Sequence, residues 1–125
     1  MLVLTFCVSG CKTRNEKLRE QAIDALGQSN LIAVRADVAT LVAANTNQSS
    51  VLSIPEPQWP ASFAVFNPVG VIKFEEGIYI QTSKFVSKST GVAIYLPGES
   101  APESSSGSYI YEELTNGVYW VLGGG

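Results

Sequence analysis

Histidine is absent from this chain of 125 residues, and charged residues are few. Histidine is the commonest general base near neutral pH, so its absence removes Ser-His and Cys-His nucleophile pairs and, with them, most hydrolase mechanisms. Charged side chains make up 15% of the residues and the formal net charge is -3, which argues against a nucleic-acid partner. The length and the apolar content predict one domain with one core.

Cysteine is nearly absent as well, with Cys7 and Cys11 as the two copies. A disulfide between them would close a very short loop near the N-terminus and would constrain little of the unfolded chain. Zinc usually takes four ligands, which two cysteines without histidine do not supply. The sequence also lacks the glycine-rich phosphate loops, the EF-hand loop and the CxxC spacing. We therefore predict no metal and no cofactor.

An apolar segment, residues 1–8, ends at Val8-Ser9-Gly10-Cys11, and the polar residues 12–17 follow it. About 20 apolar residues are needed to span a bilayer, so this segment is too short for a transmembrane helix. Val8-Ser9-Gly10-Cys11 resembles the lipobox of bacterial envelope lipoproteins. The resemblance implies that residues 1–10 are a signal segment, that Cys11 carries lipid and binds the membrane, and that residues 11–14 are a tether.

The same resemblance implies a location in the bacterial cell envelope. Lys12 stands where aspartate would resemble an inner-membrane retention signal, which favours the outer membrane and a domain that faces the periplasm. The basic residues that precede the apolar run of a signal peptide are absent here. Two alternatives follow: the start codon lies upstream, or residues 1–8 form the first strand of a soluble domain.

Two helices are predicted after the tether. Thr13 and Glu16 have the spacing of a capping box, and a stripe of apolar residues at helical spacing continues from there to Gly27, which can adopt the left-handed conformation that ends a helix. Residues 31–44 also have apolar residues at spacings of three and four, with Ser29 or Asn30 as the cap. The β-branched content of this second segment leaves a strand as the alternative.

Three prolines around Trp59 predict an extended, stiff connector whose tryptophan packs at the edge of the core, and residues 61–66 then form a short helical turn. A Pro-x-x-Pro ligand for a partner domain is the alternative. Residues 69–74 and 78–82 predict a hairpin, in which Gly77 supplies the positive φ of a three-residue loop. Residues 91–96 predict a third strand, with alternate side chains on opposite faces.

Asn116-Gly117, between residues 109–114 and 118–122, predicts a final hairpin. A two-residue turn would pair Glu113 with Trp120, whereas a three-residue turn from Thr115 shifts the pairing. The sequence leaves this register open.

The predicted elements form a single α+β domain over residues 15–125. In it, two N-terminal helices pack on a mostly antiparallel sheet of about five strands, a meander followed by a C-terminal hairpin. The second half resembles small bacterial β-meander proteins to which no activity is attached. The resemblance rests on four short motifs, Trp59-Pro60, Asn67-Pro68, Gly77-Ile78-Tyr79-Ile80 and Gly117-Val118-Tyr119-Trp120. This resemblance implies the architecture but does not identify any functional residue.

The aromatic residues of the final hairpin are the candidate partner-binding residues: Tyr109, Tyr111, Tyr119 and Trp120. Aromatic side chains on a sheet can bind sugars, peptides or a protein surface, and they also pack cores. We expect contact with an envelope protein and no catalysis.

The catalytic alternative to partner binding is a hydrolase of envelope polysaccharide that uses two carboxylates. The candidate pairs are Glu75-Glu76 and Glu112-Glu113. Neighbours in a strand point to opposite faces, and Glu75-Glu76 lies in a predicted turn. A solvated turn and a charged strand edge therefore explain these glutamates better than catalysis does.

Overall fold

The computed structural model describes residues 14–46, 51–85, 88–102 and 109–124. Two α-helices come first, α1 (Arg14–Gln28) and α2 (Leu31–Ala44). Six strands follow: β1 (Leu52–Ser53), β2 (Gly70–Phe74), β3 (Gly77–Phe85), β4 (Lys88–Tyr95), β5 (Ile110–Thr115) and β6 (Val118–Gly124). Two 3-10 helices, Glu56–Gln58 and Ala61–Phe66, connect β1 to β2. The lipobox, Cys11 and the predicted cap Thr13 lie outside the described residues.

Both helices were predicted, and the structure excludes the alternative of a strand over residues 31–44. The side chain of Asn30 accepts a hydrogen bond from the backbone N–H of Ala33 (3.3 Å) and so caps α2. The prediction that Gly27 ends α1 in a left-handed conformation was wrong, because the helix continues to Gln28 and Gly27 has no positive φ. The hydroxyl of Ser29 instead bonds the carbonyl oxygen of Leu26 (2.9 Å).

The six strands form one antiparallel sheet in the order β1-β2-β3-β4-β6-β5. This confirms the predicted α+β class, with one strand more than expected because Leu52–Ser53 pairs with β2. The helices cover one face of the sheet, and the main core lies between them. Neither described helix has the length and apolar character needed to cross a membrane.

The proline-rich connector matches the prediction in part, because residues Glu56–Gln58 form a 3-10 helix and are not extended. Pro55 and Pro60 both have the dihedral angles of polyproline (φ -62°, ψ 146°), and Trp59 packs against the main core. The indole N–H of Trp59 donates a hydrogen bond to the carbonyl oxygen of Ile54 (2.7 Å). The helical turn Ala61–Phe66 then places Phe63 in the core, where it is fully buried.

The loop between β2 and β3 differs from the prediction. Gly77 pairs with Phe74 across the two-residue turn Glu75-Glu76, and its φ is not positive. Glycine is needed here for another reason: a Cβ atom would collide with the carbonyl oxygen of Ile94 on the neighbouring strand β4. The requirement comes from the pairing of β3 with β4, and the local turn does not create it.

The final hairpin combines the two registers left open by the sequence. Thr115 pairs with Val118 across the two-residue turn Asn116-Gly117, and a bulge at Leu114 then shifts the pairing by one residue. As a result Glu113 pairs with Tyr119 and not with Trp120. A bulge redirects the side chains beyond it, so the residues of β5 before Leu114 exchange faces relative to a bulge-free hairpin.

Candidate functional site

The face of the sheet that points away from the helices carries a second, smaller apolar cluster, with Tyr79, Ala93, Tyr95 and Val121 buried at its centre. Side chains of a strand alternate between the two faces. Tyr79 lies between Ile78 and Ile80, which are both buried in the main core, so its ring has to lie on the opposite face. We call this second surface the tyrosine face.

Glycine residues let two tyrosine rings lie flat along the tyrosine face. A Cβ atom on Gly91 would meet the ring of Tyr79, and one on Gly123 would meet the ring of Tyr109. The hydroxyl of Tyr79 then reaches the hydroxyl of Ser89, at an O–O distance of 2.9 Å. The absence of side chains at the two glycines thus decides where these aromatic rings lie.

A pocket of about 400 Å³ opens on the tyrosine face. Its aromatic lining consists of Phe74, Tyr79, Tyr95, Tyr109 and Tyr111. Its polar lining outside the tyrosines consists of Glu76, Gln81 and Ser100. The volume is within the range of about 300–1,000 Å³ that is usual for small-molecule sites. An aromatic wall with a few polar groups is also the usual composition of such sites.

Tyr95 combines a buried ring with a hydroxyl group that no described residue bonds. Its ring packs edge to face against Phe74 (5.1 Å between centroids) and Tyr119 (5.4 Å), and the residue is 6% exposed. In the described part of the chain every fully buried side-chain oxygen and nitrogen has a hydrogen-bond partner. The hydroxyl of Tyr95 has none there, so its oxygen is not fully buried, and Tyr95 is one of the residues that line the pocket.

The tyrosine hydroxyls stay protonated well above neutral pH. Burial raises the pKa of Tyr79 to about 12, and its hydrogen bond with Ser89 opposes that shift. Burial also raises the pKa of Tyr95, and negative charge on Tyr111 and Glu76 would add to the increase. At neutral pH these side chains therefore offer neutral ring faces and neutral hydroxyls.

The structure separates the four candidate residues into two groups. Tyr109 and Tyr111 line the pocket, and Tyr119 lies beside them, with its ring 6.5 Å from that of Tyr111. Trp120 lies on the other face of the sheet, buried in the main core at 3% exposure, because it alternates with Tyr119 along β6. The four residues therefore do not form one surface. Cys11 lies outside the described residues.

Two residues that complete the pocket, Tyr79 and Tyr95, are not among the candidate residues predicted from the sequence. The alternation in β3 and β4 contains the missing signal, because Tyr79 lies between Ile78 and Ile80, and Tyr95 lies between Ile94 and Leu96. That pattern places Tyr79 and Tyr95 together on the face opposite the aliphatic residues. Glu76 lies at the end of a turn, where no alternation of residues indicates which face its side chain occupies.

The paired glutamates are arranged differently from a catalytic pair. Glu112 faces the helices and forms a salt bridge with Arg19, whose Nε atom donates to Oε1 at 2.8 Å. This hydrogen bond lowers the pKa of Glu112. Glu113 points to the opposite face of the sheet from Glu112. Of Glu75 and Glu76, only Glu76 is among the described residues that line the pocket.

Within the described residues no group of three or more cysteine or acidic side chains could hold a metal ion.

We expect the protein to lose stability as the pH rises from 10 towards 12. The pKa of Tyr79 is raised from 10.0 to about 12, and those of Tyr95 and Tyr111 are raised as well. In this interval the unfolded chain releases these protons while the folded protein keeps them, so the free energy of unfolding decreases with pH. Urea unfolding on both sides of this interval measures the loss, which Tyr79→Phe should reduce. Equal stability at both pH values would contradict the expectation.

Comparison with known proteins found no match to this chain, whether among family models, curated proteins or solved structures.

Proposed function

We propose that this protein is a non-catalytic binding protein of the bacterial cell envelope, that it contacts a partner protein through the tyrosine face, and that lipid on Cys11 anchors it to the outer membrane. The observation that carries the binding role is the aromatic pocket of about 400 Å³ on the side of the sheet away from the helices. The two α-helices lie on the opposite side of the sheet, so they do not block access to the pocket.

The composition of the tyrosine face supports binding. Tyrosine provides a large contact area at a small cost in conformational entropy, and it is enriched among the residues that dominate binding energy. Two residues of the pocket lining are exposed apolar or aromatic side chains, Val51 at 64% and Tyr109 at 43%. Exposed apolar area around a concave site is typical of a surface that a partner covers.

Catalysis has less support from the same site. Glycoside hydrolysis by the usual mechanism needs two carboxyl groups in one cleft, at about 5–9.5 Å from each other. Glu76 is the one carboxylate that lines this pocket among the described residues, and Glu112 is engaged with Arg19. A binding role requires no second carboxylate, so the proposal needs no group that the pocket lacks.

The anchor rests on the lipobox resemblance of Val8-Ser9-Gly10-Cys11 and on the distance from Cys11 to the domain. Helix α1 begins at Arg14, three residues after Cys11. Three residues span at most about 11 Å, so a lipid on Cys11 would hold the domain close to the membrane surface. Attachment by several acyl chains is stable, whereas one chain alone binds a bilayer only marginally.

Mass spectrometry of the native N-terminus tests the anchor. We expect a mature chain that begins at Cys11 and carries a thioether-linked diacylglycerol. A native chain that retains residues 1–10 without lipid would overturn this part of the proposal and would favour a soluble domain.

Site-specific photocrosslinking in cells tests the contact surface. A photoreactive amino acid at position 109 or 111 should produce the same protein adduct from both positions. The matched control is position 32, where Ile32 is 83% exposed on helix α2, away from the tyrosine face. Adducts that form equally from all three positions, or none from positions 109 and 111, would count against the proposed surface.

A further inference from the structure

We infer that the pocket on the tyrosine face binds an organic cation, with an alkylammonium group held between the aromatic rings and the carboxylate of Glu76. This inference rests on the proposed binding role and names the chemistry that the site would recognise. The cation is either a free small molecule or a lysine side chain of the partner protein, and the two sources share the same ammonium chemistry.

The charges of the pocket favour a positive ligand. Among the described residues that line the pocket, Glu76 is the one acidic side chain, and neither lysine nor arginine is present. A described cation on the same face, Lys84, lies at the far end of β3, paired with Ser89, outside the lining. A cation that enters the pocket would therefore meet a carboxylate and no positively charged side chain of the described lining.

The aromatic lining of the pocket also favours a positively charged ligand. The faces of phenylalanine and tyrosine rings carry negative electrostatic potential and attract cations within about 6 Å of the ring centre. Five such rings line the pocket. The hydroxyls of Tyr79, Tyr95 and Tyr111 are neutral at pH 7, and burial raises their pKa values further above that pH. The oxygen of Tyr95, which has no partner among the described residues, can accept a hydrogen bond from the N–H of a lysine ammonium group, while a quaternary ammonium group would interact with the rings alone.

A neutral ligand would fit this set of groups less well. Any molecule that fills the pocket removes part of the water around the Glu76 carboxylate. A neutral ligand leaves this charge less solvated and uncompensated, whereas a cation replaces the lost hydration with an ion pair. Glu76 is also close enough to Tyr95 to add to the increase in its pKa, after burial and Tyr111, so carboxylate and phenol belong to the same site.

A titration of the full chain with choline and with its neutral isostere, 3,3-dimethylbutan-1-ol, tests the inference by NMR chemical shifts. The two molecules have nearly the same shape and differ in charge. We expect choline to bind about tenfold more tightly, as cation–π attraction in a partly desolvated site predicts. Equal affinities would overturn the inference, as would tighter binding of the alcohol.

The turn between β2 and β3 offers a matched pair of variants. Glu76→Gln should weaken choline binding by about two- to fivefold, the effect typical of an exposed ion pair, and should leave binding of the alcohol unchanged. Glu75→Gln removes the neighbouring carboxylate, which does not line the pocket, and should have no effect. Equal effects of the two substitutions would contradict a specific role of Glu76. Because Glu76 is exposed and the substitution is isosteric, we expect both variants to fold.

A second pair of ligands identifies the source of the cation. N-acetyl-lysine methylamide carries the charged side chain of lysine, and its 6-hydroxynorleucine analogue carries a neutral side chain of similar shape. The affinities of these two compounds give the same comparison of a charged with a neutral ligand for a protein side chain. Tighter binding of the lysine derivative than of choline supports a partner's side chain, and the reverse order supports a free quaternary ammonium compound. If crosslinking at positions 109 and 111 succeeds while charged and neutral ligands bind equally, the cation inference fails and the proposed contact surface stands.

Discussion

Replacing Phe63 by alanine is expected to lower the free energy of unfolding by about 3–5 kcal/mol. Phe63 is fully buried in the main core, and the 3-10 helix Ala61–Phe66 that carries it contacts both α-helices and strand β3. Removing the ring loses its transfer from water and leaves a cavity that the surrounding elements can fill only in part. Because this side chain joins helices to sheet, the whole domain should respond in one transition.

Urea unfolding monitored by circular dichroism measures this effect, and Ile32→Ala is the control. Ile32 is also a large apolar residue, but it is 83% exposed on helix α2. Its replacement should change the free energy of unfolding by no more than about 0.5 kcal/mol. A loss for Phe63→Ala as small as that of the control would mean that the connector does not contribute to the core as described.

Replacing Gly77 by alanine is expected to lower the free energy of unfolding by about 1–3 kcal/mol, the range typical of atoms forced into a packed interior. The added methyl group would collide with backbone atoms of Ile94 and Tyr95, and no rotation of a side chain can relieve a backbone collision. Strands β3 and β4 would have to separate locally. The turn before Gly77 and one edge of the pocket would move with them.

Gly27→Ala is the matched control, with an effect of the opposite sign. Gly27 lies inside helix α1, and no atom lies within 4 Å of the position that its Cβ would occupy. Alanine in a helix interior is more stable than glycine by about 0.5–1 kcal/mol, so this variant should unfold at a higher urea concentration than the parent protein. The paired-strand explanation of Gly77 would be wrong if both glycine variants shifted the transition in the same direction.

The binding site could be predicted in part. The alternation of Tyr79 with Ile78 and Ile80 is enough to place this ring on the face opposite the core, and the same reasoning applies to Tyr95 in β4. Local pattern does not reveal that Tyr79 lies across Gly91, because the two residues are on different strands. The contact depends on the pairing of β3 with β4, in which Gly91 lies opposite Gln81.

The position of Tyr109 and Tyr111 depends on a single bulged residue. A hairpin with a two-residue turn and no bulge would put Tyr111 opposite Leu122, on the side of the helices. The bulge at Leu114 pairs Tyr111 with Val121 instead, and both residues then belong to the tyrosine face. It also leaves Leu114 packed against the main core. The register that buries Leu114 thus brings two tyrosines to the pocket.

The sequence by itself determined the first helix, the α+β class and which face of β3 and β4 carries aliphatic side chains, whereas for residues 31–44 it left a strand as an alternative that the structure excluded. These features follow from periodicity, capping residues and turn residues, which act over a few neighbouring positions. The tertiary structure alone decided the hairpin register, the need for glycine at position 77 and the separation of Trp120 from the tyrosines that line the pocket. Each of these depends on which strand lies beside which, and that choice is made by burial of the whole sheet against the helices.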